Sequence, residues 1–149
     1  MRALSRDYVV HRVTWQERRE ALSSVRREVF IVEQGVPEEL EWDEDDVRSV
    51  HVLAASTAAV PIGTGRLLPD GRIGRMAVLR SWRRRGVGSA ILRALLDAAR
   101  ELGHEEVRLH AQTHALAFYA KHGFVAIGEQ FMEAGIPHRE MVLRCRPQR

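Results

Sequence analysis

One cysteine stands in 149 residues, Cys145, so an internal disulfide is excluded and a reducing compartment fits. So close to the C-terminal end it reads as a strand residue, not as a reactive thiol. No apolar run approaches the roughly 20 residues of a membrane span. The opening stretch MRALSRDYVVHRV is interrupted by Arg6, Asp7 and Arg12, which breaks the apolar core an export signal needs. The expected location is therefore cytoplasmic, with no membrane partner. Lysine is almost missing, since Lys121 is the only one among 23 basic residues, a bias that we attribute to genome composition. Internal repeats, low-complexity tracts and linkers are also lacking. A chain of this length then reads as one domain, residues 1–149, able to bury a core without disulfide or metal.

What is present is an ordinary globular balance, 45% hydrophobic and 29% charged. The net charge of +3 conceals a division: seven carboxylates and no base lie in EELEWDEDD, residues 38–46, against a net +10 over the rest. Basic surface suits an anionic ligand or nucleic acid, and the acidic segment suits a cationic one.

Along the chain, DYVVHRV reads as a first strand. Thr14 and Glu17 have capping-box spacing, and Ala21, Leu22, Val25, Val29 and Val32 recur at helical spacing, predicting a helix over about residues 15–33. The acidic segment follows as a loop or short helix after Pro37. VHVLAAS, IGTGRLL and IGRMAVL read as an antiparallel meander, with a turn at LPDGR. A long helix is predicted from about Gly86 to Leu102, with Ile91, Leu92, Leu95, Leu96 and Ala99 as its buried stripe and Gly103 as its stop. EVRLHAQ is a strand and HALAFYAKH a short helix. FVAIGEQF and REMVLRC form a closing pair joined by a loop containing EAGIPH. This is an α+β domain with a mixed sheet, whose strand–helix–strand unit over residues 73–112 is its parallel part.

The densest positive charge, Arg83-Arg84-Arg85, stands beside Gly86 and Gly88 at the mouth of the long helix. A helix start leaves unpaired N–H groups with a partial positive charge, a natural seat for phosphate. A Walker loop fails, because Ser89 and Ala90 follow Gly88 where Lys-Ser/Thr is required. A dinucleotide fingerprint is weak, because Ile91 replaces its third glycine and the next strand ends in Ala111-Gln112. What remains is Arg/Gln-x-x-Gly-x-Gly/Ala at a helix start, against the plain alternative of a solvated basic turn.

RIGRMAVLRSWRRRGVGSAIL, LHAQTHALAFYAKHGF and RREVFIVEQGVP together resemble the GNAT superfamily of acyl-CoA-dependent N-acetyltransferases. VFIVEQ and the ending EAGIPHREM are most similar to its ElaA-like branch. The resemblance covers about residues 25–143 and implies a single domain: a mixed, mostly antiparallel sheet of about seven strands with helices on both faces. It implies acetyl-CoA as the acetyl-donor substrate, with no metal. The N–H groups of Arg84, Arg85, Gly86, Val87, Gly88 and Ser89 would then face the pyrophosphate, Arg83 and its neighbours adding charge. Gly86 and Gly88 would let the backbone approach. Met76, Ala77 and Val78 would pair through their backbone with the pantetheine arm, and Gln112 stands where many relatives bond that arm with an asparagine.

The reaction so implied is direct attack of an amine on the acetyl thioester in a ternary complex. Only about one in 2,500 lysine-like amines is neutral at pH 7, so a proton must be removed. An N–H of the Met76–Val78 strand would hold the developing oxyanion. Tyr119, in the family's FYxKxGF position, would reach the sulfur and protonate the leaving thiolate. Relatives often carry a glutamate base on the strand that here reads GRIGRMAVL, which has no carboxylate. Glu33 is the expected base, beside the acidic segment that would draw a cationic amine; His110, His138 and a water chain are the alternatives. The expected partner is a small-molecule or peptide amine acceptor, with a cationic one favoured. Dimers are frequent among relatives, which leaves a homodimer open. Two other functions stand beside this one: a GNAT-fold acyl-CoA-binding or regulatory protein with little turnover, and a nucleic-acid-binding module. The last is disfavoured, because no aromatic–basic interleaving or basic stripe is present.

Overall fold

The computed structural model describes residues 7–145. Residues 1–6, part of the stretch weighed above as an export signal, and residues 146–149 lie outside the described residues. Seven strands form one sheet: β1 (Tyr8–Val13), β2 (Val50–Ser56), β3 (Pro61–Leu67), β4 (Arg72–Val78), β5 (Glu106–Gln112), β6 (Val125–Glu133) and β7 (Ile136–Arg144). Their spatial order is β1-β2-β3-β4-β5-β7-β6. The β4–β5 pair alone is parallel, as the strand–helix–strand reading requires, and the other five pairs are antiparallel. Four α-helices accompany the sheet: α1 (Trp15–Arg26), α2 (Glu38–Glu41), α3 (Val87–Glu101) and α4 (Leu116–Lys121).

The turn between β3 and β4 closes through the Leu68 N–H to the Arg72 carbonyl (2.7 Å), with Gly71 at φ +94° where a side chain would be strained. β6 and β7 run farther than their sequence suggests. EAGIPH is no open loop but a two-residue hairpin turn, Ala134-Gly135, with φ +52° and +76°.

α3 lies on one face. Its stripe, Ile91, Leu92, Leu95, Leu96 and Ala99, is buried against Val52, Ala54 and the strands beside them. A Cβ at Gly63 or Gly65 would come within 2.8 Å of Ile91, so these glycines let α3 seat directly on β3. α1 covers the opposite face. It opens with the expected capping box, the Glu17 N–H donating to Thr14 Oγ1 at 3.1 Å. The helix predicted through residue 33 runs that far, but it kinks at Arg18 (φ −128°, ψ 29°), and Arg27–Glu33 is wound as a π-helix. The wider turn places Val29 with Val25 against Ala77 of β4.

The acidic segment departs most from expectation. Glu41 and Asp46 are buried, and with Asp43 they fold onto three arginines instead of forming an open field for cations. Arg26 bonds Glu41 and Asp46, both at 2.8 Å; Arg66 bonds Asp43 at 2.8 Å and Asp46 at 2.9 Å; Arg75 reaches Glu41 at 3.1 Å and Asp43 at 3.2 Å. Arg26, Glu41 and Asp46 are all buried, and the rings of Trp15 and Trp42 flank the Arg26 guanidinium at 5.4 and 5.2 Å. Outside this knot Glu38 pairs with Arg27 and Asp45 with Arg48, which leaves only Glu39 and Glu44 of the seven without an ion pair among the described residues. The Arg66 hydrogen bond holds Asp43 down at about 2, whereas burial pushes Glu41 upward. Cys145, just past β7, is buried, and burial raises its thiol pKa, as suits an unreactive side chain.

Candidate active site

β4 and β5 pair at two positions only, Arg72 with Arg108 and Ile73 with Leu109. The cause lies in β4. Between Thr64–Ala77 and Arg66–Gly74 the register advances two residues on β3 and three on β4, an inserted residue. Arg75 has φ +51°, and its carbonyl accepts from Thr64 Oγ1 at 3.0 Å. A bulge bends its strand and ends local pairing. Past it, Met76, Ala77 and Val78 stay with β3 but have no partner on β5, so the two parallel strands part and leave a seam. The acidic knot holds this bulge, since the Arg75 guanidinium also donates to the Glu41 carbonyl at 2.9 Å.

α3 begins where the seam opens. Gly86, at φ +85°, precedes it, and no side chain caps it. The first intrahelical bond runs from Ala90 to the Gly86 carbonyl, so the N–H groups of Val87, Gly88 and Ser89 lack acceptors within the helix. A Cβ on Gly88 would stand 3.4 Å from Phe118 and 3.8 Å from Val78. The end of β4, the start of α3 and α4 therefore converge on one point. Ser89 Oγ lies 3.0 Å from His122 Nε2, tying α3 to the end of α4.

The three arginines divide. Arg83 turns back, its Nε donating to the Val78 carbonyl at 2.9 Å and its Nη atoms to Glu33 at 2.7 and 2.6 Å. Arg85 bonds Asp7 at 2.8 Å and lies over Trp82, 4.1 Å from the ring centroid. Arg84, at φ +63°, has no ion pair among the described residues. Two corrections follow. Arg83 is committed within the chain instead of projecting toward a phosphate, and the Val78 carbonyl is occupied, which leaves Met76 and the Val78 N–H as the freer part of the strand edge, Ala77 being paired with Thr64 of β3.

Glu33 does not fit the role of base. Both its oxygens are held by Arg83, and Arg80 adds a contact at 3.3 Å. The Arg83 hydrogen bond holds the carboxyl below the usual carboxylate range, so the anion is stabilised and is a poor proton acceptor. Glu33 instead clamps the start of the arginine loop to the π-helix.

Tyr119 is 8% exposed, edge-on to Phe118 and Phe124. Its hydroxyl has no hydrogen-bond partner among the described residues, and burial pushes its pKa well above the ordinary phenol value. A phenol so placed keeps its proton until an acceptor arrives. Gln112, at the end of β5, exchanges hydrogen bonds with Gln34 at 3.0 and 3.3 Å and lies 2.7 Å from His114 Nε2. This amide pair ties the end of the π-helix to the end of β5. Gln34 and the bulge at Arg75 were not singled out from sequence: an isolated glutamine has no local signature, and neither does a one-residue insertion in a strand.

His110 and His138 share the sheet face of Gln112. His110 Nδ1 is 2.8 Å from Glu133, and its ring meets Phe131 edge-on at 4.9 Å. His138 is buried, stacked on Phe131 at 6.0 Å, with Nδ1 2.7 Å from the Ile136 carbonyl.

A sheet parted by a bulge beside an uncapped helix start is the arrangement that the chain brings to a comparison with known proteins. The sequence profile of the acetyltransferase (GNAT) domain matches residues 13–145. The chain belongs to the GNAT acetyltransferase family. The protein "Uncharacterized N-acetyltransferase YjcF" of Bacillus subtilis is 43% identical over 122 residues, 79% of this chain and 86% of that one. Among solved structures, Escherichia coli ElaA superposes with a TM-score of 0.82 at 27% identity, covering 92% of this chain and 99% of its own. An acyl-CoA N-acyltransferase from Pseudomonas aeruginosa gives 0.77 at 32% identity, covering 92% and 98%. The GNAT fold binds acetyl-CoA or a related acyl-CoA. No helix among the described residues is long and apolar enough to cross a membrane.

Proposed function

We propose that this GNAT domain moves an acetyl group from acetyl-CoA to an amine acceptor, a small molecule or a peptide, by direct attack in a ternary complex. The observation that carries this reading is the seam: β4 keeps an edge without a β5 partner at Met76 and Val78, close to the helix start where the N–H groups of Val87, Gly88 and Ser89 lack acceptors within the helix. An arm bearing amides can add to that edge as a strand would, while its diphosphate meets the helix start and Arg84. A β4 N–H past the bulge can donate to the thioester oxygen as charge develops there. The Tyr119 hydroxyl, on a mostly buried ring and without a hydrogen-bond partner among the described residues, can give its proton to the departing sulfur. The acidic segment takes no part in choosing the acceptor on this reading, because arginines of the chain itself neutralise most of it.

Thiol release from acetyl-CoA across a panel of primary amines is the test. The expected result is saturable release matched by acetylated amine. Bound acetyl-CoA with no release for any amine would make the chain an acyl-CoA-binding protein instead.

A further inference from the structure

We propose that His110 is the group that takes the proton from the attacking amine, with Glu133 as the residue that orients it; this rests on the acetyl-transfer reading above. The first support is place. Leu109 is the last β5 residue to pair with β4, so His110 stands at the apex where the strands part. Leu109 and Ala111 lie in the core, so the alternation of a strand puts His110 on the opposite face. That face also carries Gln112, bonded to Gln34 at the end of the π-helix. α1 packs over β2, β3 and β4, and His110 remains about one-third exposed.

The second support is the tautomer. An ionised carboxylate only accepts hydrogen bonds, so the 2.8 Å contact of His110 Nδ1 with Glu133 puts the ring proton on Nδ1. Nε2 is left with a free lone pair, the arrangement a general base needs. Phe131, edge-on at 4.9 Å and stacked on His138, fixes the plane of the ring. The other candidates are engaged elsewhere. Glu33 is bound by two arginines, His138 is buried, His114 lies against Gln112 and His122 against Ser89.

In the step, the nitrogen lone pair forms the C–N bond and the C–S pair leaves on sulfur. The amine proton passes to His110 Nε2, and the sulfur takes the Tyr119 proton, which solvent restores. The charged groups facing His110 are Glu133 from β6, Glu140 and His138 from β7, and Arg108 of its own strand. Glu140 and Arg108 are bonded to each other at 2.9 Å, and Arg108 also holds Glu106. Across the seam, Arg75 is turned to Glu41 and Asp43. Glu133 is thus the charge coupled directly to the ring.

The experiment compares wild type, His110→Gln and Glu133→Gln by thiol release from about pH 5 to about pH 9, with acetyl-CoA affinity read by calorimetry. His110→Gln is expected to lower kcat by about 100-fold or more while the acetyl-CoA Kd moves less than about twofold. The acid limb of kcat/KM should vanish with it. Glu133→Gln should cost less and move that limb to lower pH, because losing the carboxylate weakens the hold on the imidazolium proton. A folded His110→Gln protein that keeps kcat within about threefold overturns the proposal. If that variant does not fold, an acid limb unmoved in Glu133→Gln overturns it instead. If wild type itself releases no thiol with any amine, the transferase reading fails and the proposal falls with it.

Discussion

Tyr119 shows what single residues contribute to this site. Its hydroxyl makes no hydrogen bond among the described residues, and the place of its ring against Phe118 and Phe124 would serve phenylalanine equally well in packing terms. Tyr119→Phe should therefore leave the melting temperature unchanged or raise it. It should lower turnover by about tenfold or more with acetyl-CoA affinity nearly constant. Lost stability with unchanged turnover would make Tyr119 a packing residue only. That Gly86 and Gly88 stand at the start of the long helix was legible in sequence, because a glycine pair before a helical apolar pattern is a local signal; the role of Tyr119 is left to the experiment above. Glu33 was misread because its partner Arg83 lies 50 residues away, and no spacing along the chain shows that an acid is already paired.

At the scale of elements, the long amphipathic helix, the meander and the parallel unit were legible because apolar periodicity and turn residues mark them. The acidic segment was not. Its carboxylates look solvated until Arg26, Arg66 and Arg75, each from a different element, are brought around them. The π-winding of Arg27–Glu33 was equally hidden, since its residues keep an ordinary helical pattern. The knot has a consequence in acid. Asp43 titrates at about 2 when folded, below the ordinary value near 3.9, so its contribution is complete above about pH 4 and is lost as pH falls toward 2. Asp43→Asn should cost about 1 kcal/mol near neutrality, a figure reduced for partial exposure. Thermal melts should show the gap between wild type and Asp43→Asn closing below about pH 4. A gap independent of pH would mean that the Asp43 charge contributes nothing.

For the whole molecule, the bulge, the parted strands and the uncapped helix converge on one cleft, and the acidic knot holds the bulge from behind. The charge balance is likewise internal: many of the basic residues that suggested an anionic partner are paired with carboxylates of the chain, so Arg84 and backbone N–H groups remain for a diphosphate. The most direct test is calorimetric titration of acetyl-CoA into wild type and into Gly88→Val, each first checked for a cooperative thermal melt. Wild type should bind one equivalent, with a Kd on the order of micromolar that weakens as salt rises. The branched side chain, set against Phe118 and Val78 over the helix start, should weaken binding about tenfold or more. A folded Gly88→Val protein with wild-type affinity, or a wild type that binds no acetyl-CoA, would contradict the account.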